Sequence, residues 1–288
     1  MRIRGCVRRS RRSCSRARWP GGCGVRSATH RPARASTRCG GSWRRACSAW
    51  SRSRVREPPV LLLSCEHGGN RVPTALRHHF ARASEVLASH RGYDAGALAV
   101  ARRLARGFGA PLFAATVSRL VVDLNRNARH PAVISSWLDG LDAEARARLL
   151  ARWHAPHRAR VRESVAALLA DHDRVLHVAV HSFTPVLHGQ VRNAEVGLLY
   201  DPSRDLEVAL ARRWRAQLRG PALRVRANYP YRGTADGLTT WLRTQFPARR
   251  YAGIELELNC GLLAQPQRWR GLVAAVESSL AWLVARRV

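Results

Sequence analysis

The chain has 288 residues, a net charge of +31 and no lysine, so all 50 basic residues are arginines. That length leaves ample material for a buried core. No run approaches the roughly 18 apolar residues of a membrane helix, which argues against a helical membrane protein and for a soluble one.

The charge is unevenly spread: residues 1–56 hold 17 arginines and no acidic residue, leaving +14 for residues 57–288. The first 56 residues have no apolar periodicity and little to bury, so a disordered Arg-rich extension is predicted there. They also lack the apolar central run of a secretory signal, and none follows Arg11-Arg12, so export is not supported. An Arg-rich, acid-poor start has the look of an organelle transit peptide and could bind nucleic acid electrostatically. The reading we favour is an over-extended start to an Arg-rich reading frame. Five of the seven cysteines (Cys6, Cys14, Cys23, Cys39, Cys47) fall in this stretch without C-x₂-C spacing. With only Cys65 and Cys260 beyond it, no disulfide framework exists and the cytoplasm is the expected compartment.

From Pro58 onward short apolar runs alternate with longer amphipathic segments, which predicts an α/β domain with a mixed, largely parallel sheet over residues 57–288. The first run, Val60-Leu61-Leu62-Leu63-Ser64-Cys65, stops on Glu66-His67-Gly68-Gly69-Asn70, as a strand buried on both faces would. Residues 94–106 carry Ala97, Leu98, Val100, Ala101, Leu104 and Ala105 at helical spacing. Residues 111–117 and 119–124 read as strands, the second running into Asp123-Leu124-Asn125-Arg126-Asn127.

Residues 142–150 and 153–170 are helical by period, with a break or kink near Pro156. Residues 175–181 form another buried strand, ending on His181. A strand over residues 195–200 is followed by a helix from Ser203 to about Leu218. Residues 228–237 are a loop rich in Pro, Tyr and Gly, and Asp236 is expected to cap a helix over residues 238–246. Ile254-Glu255-Leu256-Glu257-Leu258 is a strand whose two carboxylates share a face. A helix over residues 267–284 closes the chain.

Polar residues at the carboxyl ends of such strands stand where open α/β sheets place their ligands. His67, His181 and Glu257 are therefore the candidate site residues, with Asn125-Arg126 at a fourth end. A single histidine at a strand end is more often a hydrogen-bonded structural residue. Two on separate strands, with carboxylates on a third, fit a zinc site that needs imidazole or carboxylate ligands and a nearby proton acceptor. Glu255 and Glu257 could instead pair with arginine. Arg126 beside Asn125 offers a bidentate clamp for a substrate carboxylate, or a structural pair with Asp123.

Asp123-Leu124-Asn125-Arg126, Val180-His181-Ser182-Phe183 and Leu256-Glu257-Leu258 resemble, in that order, segments of zinc carboxypeptidases and aspartoacylase-like deacylases. The closer resemblance is to the N-formylglutamate amidohydrolase family. It rests on Cys65-Glu66-His67-Gly68-Gly69 with Pro73, on Asp94, on Val117-Ser118-Arg119, on His181-Ser182-Phe183-Thr184-Pro185 and on Glu255-Leu256-Glu257, and it covers residues 58–286.

The resemblance implies a single three-layer domain of zinc-carboxypeptidase-like architecture. It also implies a metal-dependent amidohydrolase acting on a small N-acyl amino acid such as N-formylglutamate. His67 and His181 would ligate Zn²⁺ or another divalent metal, Glu257 would be the general base, and Asn125 and Arg126, assisted by Arg119, would hold the substrate carboxylate. Carboxypeptidases carry Glu three residues after the first His, where this chain has Asn70. The third ligand is then Asp94, which we prefer, or Glu66, or the site has two protein ligands only. Alternatives are another zinc-dependent deacylase or exopeptidase, an inactive family member, or a basic nucleic-acid-binding protein.

Overall fold

The computed structural model describes residues 57–218 and 223–286. The extension expected over residues 1–56 lies outside the described residues. In chain order the strands are β1 (Val60–Cys65), β2 (Leu112–Ala114), β3 (Val175–Phe183), β4 (Val186–Leu187), β5 (Gln190–Val191), β6 (Val196–Leu199), β7 (Val225–Ala227) and β8 (Tyr251–Asn259). The α-helices are α1 (Ser84–Ala88), α2 (Ala97–Phe108), α3 (Ala143–Leu149), α4 (Ala155–Asp171), α5 (Asp205–Gln217), α6 (Leu238–Gln245) and α7 (Pro266–Val284).

Six strands form one mixed sheet in the order β2-β1-β3-β8-β6-β7. β2, β1, β3 and β8 run parallel; β6 pairs antiparallel with β8, and β7 runs parallel to β6. β4 and β5 make a separate hairpin. The expected single α/β domain with a mixed, largely parallel sheet is thus what the described residues build. Among them no helix is long and apolar enough to cross a membrane.

Strand periodicity divides the side chains between two faces. Leu61, Leu63, Leu176, Val178, Val180, Ile254, Leu256 and Leu258 pack against α2, α5 and α7 in the larger core. On the other face Leu62, Val175 and Tyr251 meet Val161, Val165 and Leu169 of α4 and Leu238 and Leu242 of α6. This second face also receives the odd-numbered residues of β3 and β8, among them His177, His181, Glu255 and Glu257. One face of the sheet is therefore wholly apolar, and the other becomes polar toward its carboxyl edge.

Several sequence expectations are corrected. Residues 119–124 are not a strand but a turn-rich segment. Its apolar residues Leu120, Val121, Val122 and Leu124 fill a separate small core with Phe80, Val117, Val133, Ile134, Leu138 and Leu149, which gives a strand-like apolar run without a sheet. The strand expected over residues 111–117 is confined to β2, with Val117 making an isolated bridge to Arg71. Near Pro156 the helix is not broken: α3 passes through a π-helical turn (Leu150–His154) into α4, and the proline sits in the first turn of α4, where its missing N–H costs little. α5 starts after Ser203, which folds back on Asp201. Asp236 does not cap α6; Asn125 Oδ1 accepts from the Leu238 N–H at 2.7 Å instead, while Asp236 accepts from the Asn127 N–H.

Of the glycines that close packing requires, two bear on the site. Gly96, which precedes α2, has φ +82° and lies against the Trp269 ring. Gly197 of β6 stands opposite Glu257, where a Cβ would come within 1.9 Å of the Tyr229 carbonyl oxygen. Its missing side chain lets the 228–237 loop cross the sheet beside Glu257.

Beneath the polar edge, His177 is completely buried between the Ser64 hydroxyl (2.7 Å to Nε2) and the Tyr251 hydroxyl (2.8 Å to Nδ1). Burial lowers its pKa from 6.5 to about 4. As pH falls below 6.5 the unfolded chain takes up a proton that the folded protein refuses until about pH 4, so this group makes folding less favourable in acid. In His177→Gln the loss of unfolding free energy between pH 7 and pH 5, read from urea melts, should shrink by about 2 kcal/mol. An unchanged loss would assign the acid sensitivity to other groups.

Candidate active site

The polar edge opens into a cavity of about 450 Å³ whose walls include His67, Asp94, Arg119, Asp123, Asn125, Arg126, His181, Glu255 and Glu257. Every sequence-predicted site residue except Glu66 lines it. Their positions follow from local backbone choices. β1 ends at Cys65 and the chain turns at Glu66 and His67, bringing the His67 carbonyl to accept from the Asp94 N–H at 2.9 Å. Asp94 is tied to β3 as well: its carboxylate accepts from the Ser182 N–H, and the Ser182 hydroxyl donates to the Ala95 carbonyl. β3 and β8 pair over nine residues, which sets His181 beside Glu257.

The Asp123–Arg126 turn is held from two sides. Asp123 Oδ1 accepts from the Asn125 N–H at 3.1 Å. Arg158 of α4 donates to the Asn125 and Arg126 carbonyls at 3.1 and 2.7 Å, and His154 at the end of the π-helical turn donates through Nε2 to the Arg126 carbonyl at 2.8 Å. His154, His157 and Arg158 gave no sequence signal, since residues inside a long amphipathic helix look alike until its partner is known. Asn125 spends its Oδ1 on α6, so its amide nitrogen is the atom left to offer a ligand.

His67, Asp94 and His181 are at most 6% exposed, and each offers a ligand atom within 4.8 Å of the other two. His181 Nδ1 is 2.9 Å from Asp94 Oδ2, and His67 Nδ1 is 3.5 Å from the same oxygen. His67 Nδ1 has no hydrogen bond, whereas its Nε2 lies 2.7 Å from Asp123 Oδ1. Two imidazole nitrogens and a carboxylate oxygen facing one point, one of them unsatisfied, are a donor set that a divalent ion fits. Glu66 lies apart from this set, with Oε2 3.1 Å from His181 Nε2 and Oε1 3.5 Å from His157 Nε2. Glu66 continues the alternation of Leu62 and Ser64 and so stands on the same side of the sheet as His177 and His181, while the turn after Cys65 is what brings His67 round to that side.

The charges balance one another. Burial would raise the Asp94 carboxyl, but His67 and His181 hold it well below the usual carboxylate range. Asp123 is held down in the same way by His67, Arg119 and Arg126. For His181, burial is outweighed by Asp94 and Glu66, which raise its pKa well above the ordinary value.

Arg119 reaches Asp123 at 2.9 Å and Asp94 at 3.6 Å. Arg126 lies 3.3 Å from Asp123 through Nε and places NH1 2.9 Å from His130 Nε2. The structural Arg126–Asp123 pair is therefore present, made by one edge of the guanidinium. Arg232 and Tyr231 complete the opposite wall.

Glu255 and Glu257 are not paired with arginine among the described residues. Glu255 Oε1 accepts from the Thr239 hydroxyl at 2.6 Å. Glu257 is 4% exposed, its Oε2 has no hydrogen bond, and burial pushes its pKa up to about 8. An unpaired carboxyl facing a cavity beside a candidate metal site is suited to moving a proton.

The comparisons agree with this chemistry. Two solved structures are similar: gene product Atu2144 from Agrobacterium tumefaciens (32% identity, 78% of this chain and 92% of that one, TM-score 0.67), and N-formylglutamate amidohydrolase from Ralstonia eutropha JMP134 (20% identity, 80% and 93%, TM-score 0.57). At its lower identity the second supports the fold alone. No curated protein matches. The family model for N-formylglutamate amidohydrolase matches residues 60–264, which span β1 through β8 and every residue of the site described above. The chain belongs to the N-formylglutamate amidohydrolase family, hydrolases of amide C–N bonds.

Proposed function

We propose that residues 57–288 form a metal-dependent amidohydrolase that removes the acyl group of a small N-acyl amino acid, with N-formylglutamate as the first substrate to try. The observation that carries this reading is the buried His67–Asp94–His181 group beside the unpaired Glu257 carboxyl, in one cavity. His67, Asp94 and His181 would hold the metal. The donor set suits Zn²⁺, which in this setting polarises a carbonyl and makes water a stronger acid.

The chain's own residues supply the rest. Arg126 turns its remaining guanidinium edge to the substrate carboxylate, with the Asn125 amide nitrogen as a neutral donor beside it. Arg119, already bonded to Asp123, holds that carboxylate in place and adds positive charge to the wall. Glu257 accepts a proton from the attacking water as the new C–O bond forms, then passes it to the amine nitrogen as the C–N bond breaks. A group with a pKa near neutrality can both take and return that proton.

Chelation of purified protein should abolish hydrolysis of N-formylglutamate, and added Zn²⁺ should restore it, with about one metal per chain by elemental analysis; activity that survives chelation would sink the metal reading. Glu257→Gln should lower kcat by roughly 10²–10⁴-fold with little change in KM. Arg126→Lys keeps the charge but not the fork, so KM should rise several-fold while the metal content stays the same. A panel of N-formyl, N-acetyl and longer N-acyl amino acids separates this reading from a deacylase or exopeptidase of other specificity.

A further inference from the structure

Glu66 lies beneath the cavity and takes no part in the reaction proposed above. Its side chain is 0% exposed, and neither oxygen has a hydrogen bond. A carboxylate in that position needs compensation, and two imidazoles bracket it. His181 Nε2 lies 3.1 Å from Oε2, and His157 Nε2 lies 3.5 Å from Oε1. Sheet register brings them together. β1 and β3 pair in parallel up to Ser64 and Ala179, and two residues further along each chain stand Glu66 and His181. His157 comes from the first turn of α4, where Pro156 sets the start of the helix.

The two candidate ligand histidines are arranged alike. Each turns Nδ1 toward Asp94 Oδ2, at 2.9 Å for His181 and 3.5 Å for His67. Each places Nε2 beside a different carboxylate: His67 bonds Asp123 at 2.7 Å, while His181 lies 3.1 Å from Glu66 Oε2 as an ion pair outside hydrogen-bond geometry. A neutral imidazole carries one proton. A carboxylate beside Nε2 favours the proton on that nitrogen, against the pull of Asp94 on Nδ1, and so favours an Nδ1 lone pair for a metal.

We propose that Glu66, braced by His157, is a positioning residue that fixes the tautomer and ring orientation of His181 and thereby sets the metal affinity of the His67–Asp94–His181 group. This rests on the metal reading of the site. Glu66 touches neither substrate nor reacting atoms in it. His157 acts one step further out, holding the second carboxylate oxygen so that the first stays aimed at His181.

The test uses the full chain, stripped of metal and titrated with Zn²⁺ against a chromophoric chelator. The wild type is compared with Glu66→Gln, which keeps the volume and removes the charge, and with His157→Gln. Glu66→Gln should weaken Zn²⁺ binding by roughly 10–100-fold, and His157→Gln should weaken it less, in the same direction. At saturating Zn²⁺ the KM for N-formylglutamate should remain that of the wild type.

A purely structural role would lower the thermal midpoint of the metal-free protein and leave Zn²⁺ affinity unchanged, which would overturn the proposal. Should Glu66→Gln not fold, His157→Gln carries the test, and wild-type affinity in that variant overturns the proposal as well. A wild-type protein that binds no Zn²⁺ overturns the metal reading itself. Tight binding by the wild type with unchanged variants removes only the role of Glu66.

Discussion

A buried carboxylate needs a partner, and this domain buries five of them at the carboxyl edge of three parallel strands. Glu66, Asp94, Asp123, Glu255 and Glu257 are each at most 9% exposed. Four have found partners: histidines for Glu66 and Asp94, His67 and arginines for Asp123, a threonine hydroxyl for Glu255. Removing Asp94 or Asp123 would leave a histidine and an arginine short of their counter-charge. Glu257 keeps an oxygen with neither a hydrogen bond nor an ion pair, and burial raises its pKa to about 8.

The sheet supplies His181, Glu255 and Glu257, while Glu66, His67, Asp94 and Asp123 come from the turns and loops beyond its strand ends. Because β3 and β8 pair over nine residues, placing His181 also places Glu257. Because side chains alternate, the same strands present a continuous apolar face to α2, α5 and α7. The Asp123 turn has no ladder to fix it and relies on the small core beneath it and on the grip of His154 from the π-helical turn and Arg158 from α4. The Asn125–Arg126 segment is thus anchored by packing, and His181 and Glu257 by register.

Much of this was legible in the sequence. A period of two on strand 254–258 is enough to put Glu255 and Glu257 on one side, and an apolar run stopping at a histidine marks a strand end. What the sequence misstates has physical causes. Residues 119–124 read like a strand because the apolar run Leu120-Val121-Val122 feeds a second core. Alternation would put Glu66 and His67 on opposite faces, and it fails because the backbone leaves the ladder after Cys65 and turns His67 to the side of Glu66. His154, His157 and Arg158 were invisible because their importance comes from which helix face meets the turn. Asp236 had the chemistry of a cap, but Asn125, 113 residues from Leu238 in sequence, reached the helix end first.

The absence of lysine has its own effect at the cavity. Arg119, Arg126 and Arg232 are guanidiniums, which stay charged at any pH the fold survives. The arginine charge lining the cavity is therefore fixed over that range, and any change of the cavity's charge with acidity falls to its carboxyls and imidazoles. On the function proposed above, acidity would act on the proton-carrying groups while the cationic part of the wall stays as it is.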